Sequence, residues 1–66
     1  MKINQLEGQA KEFAIACYNY NSLDELKEAA SSDAGATDCR VWGINEQQWR
    51  SAIEAALSDM LADAQE

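Results

Sequence analysis

The 66-residue chain has no histidine and no proline, and it contains only three glycines and two cysteines. Without histidine it lacks the commonest general base and the commonest imidazole metal ligand. A Ser-His-Asp set is excluded with it, and no glycine-rich phosphate loop occurs. Cys17 and Cys39 stand alone rather than in the paired spacing of a structural zinc site. Long apolar runs are also missing, which predicts neither a signal peptide nor a transmembrane helix. These absences lead to the expectation of a non-enzymatic protein without metal or cofactor. Its expected location is the cytoplasm of the host cell, where both thiols stay reduced. Buried free thiols are the ordinary state of such cysteines.

Basic residues are scarce as well: five stand against twelve acids, for a net charge of −7. The excess is uneven. Residues 1–21 balance Glu7 and Glu12 with Lys2 and Lys11, whereas residues 22–38 set Asp24, Glu25, Glu28, Asp33 and Asp38 against Lys27 alone. Residues 44–66 set Glu46, Glu54, Asp59, Asp63 and Glu66 against Arg50. Nucleic acid and anionic membranes need a basic surface, so direct binding to either is disfavoured. The charge calls for a basic partner.

What is present is helical periodicity. A chain this short buries only about 60% of its unfolded surface, so one small core and no enclosed substrate cavity are expected. The clearest stretch is Ile44 to Ala64. Asn45 with Gln48 makes a capping box, and Ile44 with Trp49 has the spacing of a hydrophobic staple. Trp49, Ala52, Ile53, Ala56, Leu57, Met60 and Leu61 then form an apolar stripe, with Arg50, Ser51, Ala55 and Ser58 largely outside it. Trp49, Ile53, Leu57 and Met60 are expected to be largely buried against Phe13 and Leu26.

Earlier in the chain, residues 3 to about 20 read as a first helix through Leu6, Ala10, Phe13, Ala14 and Cys17. Gly8 inside that span would weaken it by roughly 1 kcal/mol relative to alanine. Tyr18, Tyr20 and the neighbouring asparagines mark its end. Ser22, with Glu25 in the capping-box position, opens a short second helix to about Ser31. Residues 31–35 read as a turn. Thr37 to Trp42 reads as a short helix or helical turn capped by Thr37 or Asp38 and closed by Gly43, with a short extended piece as the alternative. The predicted fold is all-α: one domain over residues 1–66, a small three-helix bundle with an additional short helical turn. Trp42 and Trp49 are its bulkiest core candidates.

The acids divide into two sets. Asp24, Glu25 and Glu46 fall in first turns, where the macrodipole favours negative charge by about 0.3–1 kcal/mol each. Glu46, Arg50 and Glu54 form an i, i+4 ladder of alternating sign. Asp59, Asp63 and Glu66 lie at the unfavourable end of the last helix. Asp59 and Asp63 repel as i, i+4 like charges, with no basic residue near them in sequence. Stability does not account for them on sequence grounds, which leaves a binding role or solubility alone as the explanation.

An acyl carrier protein is excluded, because its Asp-Ser-Leu prosthetic-group motif is absent. Instead the small, acidic, helical chain, with Glu46-Gln47-Gln48-Trp49 opening a final acidic helix, resembles the small inhibitors that phages and mobile elements deploy against host defences, anti-CRISPR proteins among them. The resemblance is one of type across the whole chain and rests on no residue motif. It implies a DNA mimic, a monomer that occupies the basic nucleic-acid site of a host defence complex such as a type I CRISPR surveillance complex. Asp24, Glu25, Glu28, Glu54, Asp59 and Asp63 would then stand in for phosphates. The competing expectation is a regulatory or antitoxin-like interaction module that docks through Tyr18, Tyr20 or Trp42, since aromatics dominate interface hot spots.

Overall fold

The computed structural model describes residues 2–31 and 35–64. Among the described residues, four α-helices follow a 3-10 turn at Ile3–Gln5: α1 (Gly8–Tyr20), α2 (Leu23–Ser31), α3 (Ala36–Trp42) and α4 (Glu46–Ala64). No strand occurs among the described residues, and the fold is all-α. None of these helices is long and apolar enough to cross a membrane.

The last helix is the axis of the molecule, since α1, α2, α3 and the N-terminal turn all pack against it. Its start is fixed locally, as the sequence predicts. The Gln48 N–H donates to Asn45 Oδ1 at 2.8 Å and the Asn45 N–H donates to Gln48 Oε1 at 2.9 Å. Ile44 and Trp49, the staple pair, are both buried. The second capping box closes in the same way, with Ser22 N–H on Glu25 Oε1 at 3.0 Å and Glu25 N–H on Ser22 Oγ at 3.2 Å.

Trp49, Ile53, Ala52 and Ala56 join Phe13, Ala14, Cys17, Leu26 and Ile44 in one core. Two refinements of the predicted stripe follow. Leu57 and Met60 are half-buried at the core's margin, and Leu61 is exposed. Ala55, predicted to lie off the stripe, is completely buried. The N-terminal segment covers this flank of α4, with Ile3 reaching Asp59 one helical turn beyond Ala55.

That segment is also where the first helix departs from expectation. Residues 3–5 form a separate 3-10 turn, and α1 begins only at Gly8. Gly8 has φ +62°, a left-handed conformation that glycine adopts without steric cost. It reverses the chain and so does not weaken a helix interior. The N-terminal segment runs back along α4 from Asp59 to Gln47 and Gln48, and α1 returns parallel to α4 until Tyr18 meets Asp63. α2 comes back antiparallel, ending with Ala30 against Trp49 and Ile53.

The segment left open between helix and strand is a helix. α3 starts at Ala36, with Gly35 as its N-cap and no side-chain cap from Thr37 or Asp38. Gly43, at φ +67°, closes it as predicted. Of the predicted turn at 31–35, Ser31 ends α2, Gly35 precedes α3, and residues 32–34 lie outside the described residues.

Candidate functional site

The six candidate carboxylates do not converge on one face. Asp24 and Glu28 stand one turn apart on α2 and are exposed, on the side away from buried Leu26. Glu25 is exposed too, although it closes the capping box with Ser22. Glu54 is exposed on the flank of α4 that meets α2, beside Ala30 and Arg50. These four belong to the α2 side of the molecule.

Asp59 and Asp63 lie on the opposite flank of α4, against α1 and the N-terminal turn. Asp59 accepts the backbone N–H of Ile3 at 3.1 Å and pairs with Lys2 Nζ at 3.3 Å. Asp63 accepts the Tyr18 hydroxyl. No base is near these two acids in sequence, but folding brings Lys2 to Asp59 from a distant part of the chain. Both acids have intramolecular work to do. Glu66, the third acid of that group, lies outside the described residues, as does Asp33. Glu46 pairs with Arg50 at 3.3 Å, the first rung of the predicted ladder.

The aromatic candidates separate as well. Tyr18 is half-buried and bonded to Asp63, whereas Tyr20 is 84% exposed. Val41 is 74% exposed on α3, and next to it Trp42 is half-buried, with its ring tilted against Phe13 at 5.6 Å. Tyr20 and Trp42 line one open cleft of about 210 Å³ between α1 and α3. Phe13 and Cys17 form its α1 wall, Ala29 of α2 and Ile53 of α4 its other sides.

Asp38 of α3 is the carboxylate in this cleft, and sequence reasoning singled it out only as a candidate helix cap. Its Oδ2 accepts the Trp49 indole N–H at 3.2 Å. The thiol of Cys17, buried in the cleft wall, is pushed up from 9.0 to about 11, first by loss of solvent and then by the negative charge of Asp38. The only sequence signal for this pair was an acid eleven residues before a tryptophan, a spacing with no local meaning. Cys17 and Cys39 carry free thiols. No group of three or more metal-ligating side chains gathers among the described residues.

Comparison with protein families, curated proteins and solved structures finds no match to this chain.

Proposed function

We propose that this protein is a non-catalytic inhibitor that binds the basic nucleic-acid site of a host complex and presents carboxylates where phosphates would lie. A bacterial defence complex such as a CRISPR surveillance complex is the kind of target meant. The observation that carries the reading is the exposed set on the α2 side, Asp24, Glu25, Glu28 and Glu54. Asp24, Glu28 and Glu54 have no ion-pair partner among the described residues, within a chain of net charge −7. Asp59 and Asp63 drop out of the array, because their intramolecular contacts account for them. Competition would be electrostatic and steric, through charge-assisted hydrogen bonds from Arg and Lys of the target. The test is displacement of DNA from such a complex by the purified protein over a range of ionic strength. Inhibition that weakens steeply with salt supports the proposal, and salt-independent inhibition defeats it.

A second reading has its own observation. Tyr20, which lines the Trp42 cleft, and Val41, next to Trp42 in sequence, are large apolar side chains left open to solvent. An interaction module docking there would bury aromatic area and would show little response to salt.

A further inference from the structure

We propose that the cleft between α1 and α3 is an anchor pocket for a single arginine side chain of a partner protein, stacked on Tyr20 and Trp42 and paired with Asp38. The cleft combines the two features that recognise a guanidinium, aromatic rings and a carboxylate. Trp49 supplies the only hydrogen bond to Asp38 among the described residues. An ionised carboxylate has room for about four hydrogen bonds, so Asp38 keeps acceptor capacity for a second donor. Among the described residues, no lysine or arginine lines the cleft beside this carboxylate.

Size agrees. The cleft's volume of about 210 Å³ lies below the range of roughly 300–1,000 Å³ usual for small-molecule sites, and it suits one long side chain entering from an open mouth. Exposed Tyr20 stands at that mouth, while buried Phe13 and Ile53 form a rigid apolar wall. Cys17, in the same cleft, has its thiol raised first by burial and then by the charge of Asp38. A neutral apolar occupant would have to desolvate Asp38 without pairing it, which is costly. A guanidinium pairs it. The occupant's source, a basic partner, rests on the function proposed above, whereas the chemistry of the cleft is tested without that partner.

The probe is N-acetyl-arginine methylamide, compared with its neutral isostere, the citrulline derivative, by NMR titration of the labelled protein at millimolar concentrations. The arginine probe is expected to shift the Trp42 indole and Cys17 amide signals and to bind about tenfold more tightly than the citrulline probe. Asp38→Asn keeps an acceptor for the Trp49 indole and should abolish that difference with the fold intact. Tyr20→Ala, at an exposed position, should weaken the arginine probe severalfold. Equal binding of the two probes, binding of neither, or preference for arginine retained in Asp38→Asn overturns the proposal. Because no nucleic acid is present, failure here and failure of the DNA-displacement test are separate results.

Discussion

The backbone of Gly35 lies flat against the indole of Trp49: a β-carbon added at Gly35 would fall 2.6 Å from Cδ2 and 2.7 Å from Cε2 of the ring. Neither side can yield easily. The ring is 2% exposed, stapled against Ile44 and tied to Asp38. Gly35→Ala should therefore destabilise the protein by about 1–3 kcal/mol through overpacking. Removing the ring by Trp49→Ala should cost about 3–5 kcal/mol, enough to leave a small domain largely unfolded. Urea denaturation followed by circular dichroism measures both. A Gly35→Ala protein as stable as the parent would mean that the α2–α3 junction adapts freely.

Lys2, Ile3 and Asp59 make a clasp between the two ends of the chain. Lys2 is about half exposed, so the ion pair itself contributes under about 1 kcal/mol and is screened by salt. The Ile3 N–H bond adds about as much again, and Asp59→Ala should cost about 1–2 kcal/mol in all. Hydrogen exchange at the Ile3 amide should accelerate in that variant, while amides within α2 keep their protection. Unchanged protection at Ile3 would show that the apolar contacts of Ile3 and Leu6 hold the segment without the carboxylate.

Cys17 gives a pH dependence of definite sign. Well below pH 9.0 the thiol is protonated in both the folded and the unfolded chain, so its contribution to stability is constant there. As pH rises from 9.0 toward about 11 the unfolded chain ionises first, and stability falls. The loss should reach about 2–3 kcal/mol. A Cys17→Ala protein should show a correspondingly shallower alkaline decline in thermal stability. Cys39, half-buried, should alkylate before Cys17 in the folded protein. Identical alkaline slopes for the two proteins would place the destabilisation elsewhere.

These relationships mark where sequence reasoning succeeds and where it stops. The Asn45–Gln48 and Ser22–Glu25 boxes and the Ile44–Trp49 staple are readable because each partner lies within five residues of the other. The core stripe of α4 is readable because 3.6-residue periodicity is local. Gly8 was misread because a glycine six residues into an apolar pattern looks the same whether it weakens a helix or reverses the chain before one. Ala55 was misread because a wheel shows one apolar face and does not foresee a second element, the N-terminal turn, on another. The contacts of Asp59 and Asp63 were not legible because their partners, Lys2, Ile3 and Tyr18, lie more than forty residues away. The Asp38 cleft was invisible for the same reason, being assembled from four helices.

The distinction between the two acidic groups gives the sharpest functional prediction. Asp24 and Glu28 are exposed and touch no cation among the described residues, so Asp24→Asn with Glu28→Gln should leave the fold unchanged within about 0.5 kcal/mol, as for other surface substitutions. If α2 faces the basic site of a nucleic-acid-binding complex, each lost carboxylate should weaken binding by about 1–3 kcal/mol and flatten its salt dependence. Asp59→Asn with Asp63→Asn should do the reverse, loosening the N-terminal clasp and the Tyr18 contact while leaving affinity for the complex nearly unchanged. Measuring both double variants by DNA displacement and by urea denaturation separates the roles cleanly. Loss of inhibition in the Asp59 and Asp63 pair alone, at undiminished stability, would move the binding face to the α1 side of α4. Full inhibition by the Asp24 and Glu28 variant would remove phosphate mimicry by α2 and leave the Tyr20–Trp42 surface as the face that binds.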